Sequence, residues 1–566
     1  MDDEYYKLLK VLSLYLLFSI FFTSLFIFIG FFLDIAIGHY TLLISFIIFN
    51  LIWFLIVFKF KYSQENIVIS CASLLIVAIL FLVSISLFSH TYDTSYDGES
   101  YHQTAVIELA SKWDPIYQRT LPVKTIDAFD KSLVQGNPKI FWSIDASIYK
   151  LTHSINTATT INLLIGLVAG IFAFFALLSF GLEEQYAFIL AVLAVLSVTY
   201  IDQLLSFRED GLSYGLFIIG ISSLILSIKE RYKTPYIMSL FASIILLIGT
   251  KFSNAYFLFP LVVVAIYLVY KYRLYRLKQF KVLVVLSIIS SFLVLFNPYI
   301  TNFINYHSID YPYNQKSISE YVNKDNTPLN IRNDNFIEKF FYGVFSRPDI
   351  ESAFNNSGNA KLRYPLVFSA NDFVNESDTA AKLVGGYGLI FSGAFIISLS
   401  AIVYLIVIKK SKKEIIYLKY LLVLTLLILV ACLITINPNY ARYSSELNIL
   451  PIIIITVLLL FEKIKQRNLN RLFIKVLLIL VILNVFIELI ASSTYDVNMF
   501  HDINQQLAEL KSSHKTYLAN TSIYYSNFIR LEQYGIKIKI SSVPVNCNNK
   551  ITLINSRQST FLCELR

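Results

Sequence analysis

About thirteen stretches of roughly twenty predominantly apolar residues recur along the chain, and nothing else in the sequence restricts its fold as much. A segment in hydrocarbon must satisfy its own backbone hydrogen bonds, so each run reads as a helix. The runs fall at about 9–33, 39–58, 67–89, 157–180, 185–201, 211–228, 235–251, 254–270, 281–299, 386–408, 416–437, 446–461 and 472–492. With 56% hydrophobic and 15% charged residues, the chain is outside the range of soluble domains. The first run, about Leu8 to Ile37, is longer than a signal-peptide core and is expected to remain as a span.

Orientation follows from the basic residues. With the N-terminus inside, Lys59 and Lys61, Lys229, Arg231 and Lys233, five cations from Lys271 to Lys281, Lys409 to Lys413, and Lys463 to Arg471 all fall in inner loops. This is the positive-inside pattern, and it assigns the net charge of +9 to membrane topology, excluding nucleic acid as a partner. Three polar pieces then lie outside: about 90–156, about 300–385, and a tail from 493 to 566. The expected organisation is a membrane domain over 1–492 and a small outer α/β domain over 493–566, which alternates Ile, Val and Tyr with turn residues after an amphipathic stretch near Ile503 to Leu510. Cys547 and Cys563 share that tail, where an oxidising compartment would let them pair; Cys71 and Cys432 lie in spans.

The first outer piece opens with Tyr96-Asp97-Gly98-Glu99-Ser100-Tyr101-His102-Gln103, a dense group of titratable and aromatic side chains at a membrane boundary. A carboxylate fixed there meets a polar acceptor and a lipid-borne donor at once, which makes Asp97 the expected reaction centre, with Glu99 and His102 beside it. A plain turn flanked by interfacial aromatics is the competing account. Gln203 and Arg208-Glu209-Asp210-Gly211 fall at the second outer turn, where Asp210 fits a second acid and a solvated loop equally. Lys251 interrupts an apolar stretch, and either snorkels or faces a polar cavity. Arg442, between Tyr440 and Tyr443, is suited to gripping a phosphate with its guanidinium fork or to a structural ion pair. The seven histidines show no metal-ligand spacing.

Taken in order, several segments resemble the GT-C superfamily of integral membrane glycosyltransferases, in particular GT-C-like proteins of bacterial polysaccharide loci. They are Asp97-Gly98-Glu99-Ser100-Tyr101-His102, Asn137-Pro138-Lys139 to Tyr149, Gln203 to Gly211, Lys251-Phe252, Asn297-Pro298-Tyr299 to Asn302 with Tyr311-Pro312, Gly385-Gly386-Tyr387-Gly388, and Ala441-Arg442-Tyr443. The resemblance spans about residues 90 to 451 and leaves the tail uncovered. Two departures stand out: the usual adjacent acids are here separated by Gly98, and Asn439-Tyr440 replaces the tryptophans common before the arginine.

The resemblance implies an all-α, GT-C-like bundle in a bacterial cytoplasmic membrane, with its active site on the outer side. The enzyme would move a sugar from a polyprenyl-phosphate donor to a glycan or lipid-linked acceptor, with inversion. Asp97 would be the general base, and Glu99, His102 and Asp210 the other catalytic groups. Tyr101, Lys139, Gln203, Lys251, Arg442 and Tyr443 would bind substrate. The expectation is no cofactor, since cations of the protein neutralise the leaving phosphate; a divalent metal on Asp97, Glu99 and Asp210 is the alternative. Two rival functions remain. One is a polysaccharide polymerase or ligase with a lipid-diphosphate donor, working through Arg332, Arg347 or Arg363. The other is a transporter with Asp97, Asp210 and Lys251 along its passage.

Overall fold

The computed structural model describes residues 3–59, 64–122, 127–230, 233–316, 318, 327–348, 359–377, 384–408, 410–435, 437–519, 524–541, 547, 549–554 and 561–564. Lys61, Arg231 and Lys409, three of the expected loop cations, lie outside them. Among the described residues ten helices are long and apolar enough to cross a membrane, and the protein is an all-α, multi-pass membrane protein with a small C-terminal sheet.

Helices α1 (Asp3–Phe32), α2 (Thr41–Lys59) and α3 (Gln64–Phe88) are apolar on every side; α1 packs into the core through Tyr15, Leu17 and Phe28, and α2 and α3 are mostly exposed. Leu55 and Leu82 are among the many large side chains they leave exposed. The first polar piece follows, with a π-helical turn at Gly98–His102, then α4 (Gln103–Ala110), α5 (Ala128–Gly136) and α6 (Ile140–Thr152). The bundle continues through α7 (Ile161–Ser179), α8 (Glu184–Val195), α9 (Val198–Gln203), α10 (Asp210–Lys229), α11 (Thr234–Ile248), α12 (Asn254–Lys271), α13 (Lys278–Leu295) and α14 (Thr301–Tyr306). Of these, α10 is the most enclosed, packing against α7 and α11. The second polar piece carries α15 (Phe336–Phe345) and α16 (Ala370–Ser377) before α17 (Phe391–Val407), α18 (Lys412–Leu433), α19 (Leu450–Ile464) and the long α20 (Asn468–Ser512).

Three of the expected crossings are shorter than their apolar runs. α8 has 12 residues, α11 15 and α17 17, which at ~1.5 Å per residue give about 18 to 26 Å against the ~30 Å of hydrocarbon. In each case the helix stops where the chain turns to build something else. α8 ends at Leu196, and Ser197 caps α9 by accepting from the Tyr200 N–H. α11 stops at Gly249, where a Cβ would run into Ile140, and the chain then presents Lys251. α17 begins only after Gly385, Gly386 and Gly388, all at positive φ.

The expected boundary at residue 492 falls inside α20, a single helix of 45 residues that runs out of the bundle and into the tail. Its far end buries Ile503, Leu507 and Leu510 under a four-stranded sheet. The strands are β1 (Thr516–Ala519), β2 (Lys537–Ile540), β3 (Lys550–Thr552) and β4 (Phe561–Glu564), in the order β2-β1-β4-β3, with only the β1–β2 pair parallel. Cys547 and Cys563 are joined as a disulfide that ties the end of β4 to the segment before β3. Between β1 and β2, α21 (Tyr525–Gln533) packs back onto the Gly98–His102 turn and α4.

Candidate active site

The turn after α3 is shaped by two small residues and a carboxylate. Asp93 accepts hydrogen bonds from the Ser95 N–H at 2.8 Å and the Phe207 N–H at 2.7 Å, stitching this loop to the one before α10. Gly98 fits tightly over that knot, since a Cβ there would strike the Asp93 carboxylate and the Ser95 hydroxyl. The wide π-helical turn that follows fans out the side chains of Asp97, Glu99, Tyr101 and His102, a geometry often found at functional sites.

Asp97 meets Arg442, with Oδ2 2.7 Å from Nη1. Arg442 belongs to a 3-10 segment, Ala441–Ile449, that kinks at Ser444 and hangs from the glycine-rich strip through the Ala441 N–H to Gly385 carbonyl bond. A second ion pair lies alongside: Lys251 Nζ is 2.5 Å from Asp210 Oδ1. Gln203 orients that acid, donating to Asp210 Oδ2 at 3.2 Å while its own carbonyl accepts from the Gly211 N–H at 2.9 Å. Tyr443 bridges the pairs, its ring centre 4.6 Å from the Lys251 ammonium and 5.0 Å from the Arg442 guanidinium. Two carboxylates and two cations therefore balance in one partly enclosed cleft.

The charges act on one another. Burial alone would raise the Asp97 carboxyl, but the Arg442 guanidinium, followed by His102 and then Lys251, outweighs burial and holds it at about 2. Lys251 is opposed by burial yet held above its ordinary value by Asp210. His102 is pushed down to about 3, chiefly by burial, so its imidazole is neutral. Burial also raises the Tyr101 hydroxyl well above its ordinary value. Tyr313, which the sequence did not single out as a site residue, is pushed up to about 12 by burial, and the charges of Lys251 and Asp97 reach it.

Asp97, Tyr101, His102, Gln203, Asp210, Lys251, Arg442 and Tyr443 are thus brought together from four separate stretches of sequence. Two expected site residues are not. Glu99 is fully buried with its carboxylate turned to Arg530 of α21, 3.6 Å away, while its carbonyl accepts from the Ser526 hydroxyl at 2.9 Å. Its role is to anchor the turn from behind. Lys139 is fully buried as well, and its ammonium donates to the carbonyls of Gln135 and Asn137 at 2.8 and 2.7 Å, which leaves it no reach to a substrate. Burial holds it well below the usual lysine range.

Asp97, Glu99 and Asp210 each face a different basic side chain, and among the described residues no group of three or more His, Cys, Asp or Glu is placed to hold an ion. Trp142, on α6, is the partner that sequence reasoning missed. Its indole N–H donates to His102 Nδ1 at 2.8 Å. The signal available was weak: one of only three tryptophans in the chain, lying inside the Asn137 to Tyr149 segment.

No family model matches this chain, and no curated protein does. Among solved structures, the crystal structure of ArnT from Cupriavidus metallidurans bound to undecaprenyl phosphate is similar over 84% of this chain and 86% of that one, at 12% sequence identity and a TM-score of 0.34.

Proposed function

We propose that this chain is a GT-C-type membrane glycosyltransferase that moves a sugar from a polyprenyl-phosphate donor to a glycan or lipid-linked acceptor at the outer face of a bacterial cytoplasmic membrane. The observation that carries this reading is the paired arrangement of Asp97 with Arg442 and Asp210 with Lys251, at the mouth of a bundle of apolar helices. A carboxylate that can take a proton and cations that can hold a phosphate are the two parts such a transfer needs.

In the reaction, an acceptor hydroxyl attacks the anomeric carbon, its proton passes to Asp97, and the carbon–oxygen bond to the phosphate breaks with the electron pair going to the phosphate. Attack from the face opposite the leaving group inverts the centre. A carboxylate held at about 2 is a weak base, and the resting ion pair explains why. The donor phosphate competes for the Arg442 guanidinium and, by taking it, returns basicity to Asp97. An apolar cavity of about 150 Å³ between α7, α10, α18 and α19 reaches Ile449, at the end of the segment that carries Arg442, and its lining suits an isoprenoid chain.

The polymerase or ligase reading would put Arg347 and Arg363 to work, but Arg347 is directed to Asp372 and Arg363 donates to the Gly388 carbonyl. The test is Asp97→Asn in membranes supplied with labelled polyprenyl-phosphate sugar. Loss of product at unchanged protein level is expected; retained turnover would move the chemistry elsewhere.

A further inference from the structure

The Trp142–His102 hydrogen bond fixes more than a ring position. An indole N–H can only donate, so the Nδ1 it meets at 2.8 Å must offer a lone pair and carries no proton. The single proton of the neutral ring is then on Nε2, on the side turned away from Trp142. The packing leaves little freedom to escape this arrangement. Trp142 is 1% exposed and His102 6%, with their rings edge to face at 5.3 Å, and Tyr101 covers the imidazole at 4.2 Å.

Charge argues the same way. The groups that act on the ring from the cleft are Asp97, Lys251, Asp210 and Arg442, two anions already matched by two cations. From the other elements packed on the turn, α5 adds Asp130 and α21 adds Arg530, which faces Glu99. An imidazolium would be a third cation in the cleft, with an Nδ1–H pointing at an indole N–H. Among the described residues the one side-chain hydrogen bond of His102 is that from Trp142 at Nδ1, so the Nε2–H is left for a ligand.

We propose that Trp142 locks His102 as the neutral Nε2–H tautomer and that this N–H binds a hydroxyl oxygen of the sugar being transferred. The second half rests on the glycosyl-transfer reading; the first does not. A neutral donor beside an aromatic ring suits an uncharged sugar, whereas the phosphate is served by Arg442 and Lys251. A neutral ring also does not compete with Arg442 for Asp97. His102 is therefore a binding donor and not an acid or base, and Trp142 is its positioning residue.

The tautomer is read on the full-length protein in detergent, labelled with ¹⁵N-histidine, with the His102 signal assigned by its disappearance in His102→Gln. The expected spectrum shows a neutral ring protonated on Nε2 and unchanged from pH 5 to 8. A ring that titrates in that range, or carries its proton on Nδ1, overturns the lock. Trp142→Phe removes the donor and should move titration toward the ordinary ~6.5, adding an acid limb there to the transfer rate. The wild-type spectrum decides the lock even if that variant does not fold. For the ligand, His102→Gln keeps an N–H donor and should stay within about tenfold of wild-type kcat/KM, while His102→Leu should lose about a hundredfold. Equal losses in the two variants overturn the sugar contact. Absence of transfer by the wild type overturns the glycosyltransferase reading and the sugar contact with it, and leaves the tautomer result standing.

Discussion

Arg442 and Asp97 are separated by 345 residues and meet at 2.7 Å, so the guanidinium proposed to hold the donor phosphate is paired with the carboxylate proposed as the base. On that proposal the two groups restrain each other until the phosphate takes the guanidinium. This relationship sets the pH behaviour of the protein.

Because the folded Asp97 carboxyl sits at about 2, below its ordinary ~3.9, the pair stabilises the folded state by roughly 2 kcal/mol above pH 4. That contribution is lost as pH falls from about 4 toward 2. Thermal unfolding of the detergent-solubilised protein should show the loss for wild type and its absence in Arg442→Ala, which should also be about 1–3 kcal/mol less stable at pH 7. Transfer by Arg442→Ala should drop at least about a hundredfold, with Arg442→Lys recovering part of it.

Arg530 should matter to catalysis although it never reaches the cleft. Arg530→Ala removes the cation that Glu99 faces at 3.6 Å inside the fold and should cost about 3 kcal/mol of stability. At a temperature where the variant is folded, kcat should fall with KM for the donor nearly unchanged, since Arg442 and Lys251 are untouched. A donor titration of the purified variant separates the two constants.

Lys139 gives the opposite expectation. Lys139→Met should lower the melting temperature, because the Gln135 and Asn137 carbonyls lose their donor, at about 1–3 kcal/mol. Donor KM should stay at the wild-type value. A raised KM with normal melting would return Lys139 to the substrate.

Topology is open to a direct check. A reporter that works only outside the cytoplasm, fused after Arg566, should be active, and the Cys547–Cys563 disulfide should be present in the exported protein, as shown by a mobility shift on reduction. A reporter silent outside and active inside would invert the whole arrangement.

Much of this was legible in the sequence, for a physical reason. Charged residues at the ends of apolar runs are costly, so Asp97, Asp210, Lys251 and Arg442 announce themselves as partners for one another or for a ligand. What a sequence does not carry is the direction of a side chain on a turn: Glu99 lies two residues from Asp97 and faces Arg530 of α21. Hydropathy likewise counts apolar residues without saying whether they stay helical, which is how Gly249 to Lys251 and Gly386 to Gly388 fall inside expected spans. Trp142 and Arg530 act through partners distant in sequence, and no local pattern marks them.

The bond from Ser526 to the Glu99 carbonyl crosses 427 residues, and it has a consequence for how the protein is made. Translation delivers the Asp97 turn well before its support, so the turn lacks its backing until α21 has been made and has packed against it. A chain stopped before α21 is therefore expected to hold the Asp97 turn loosely.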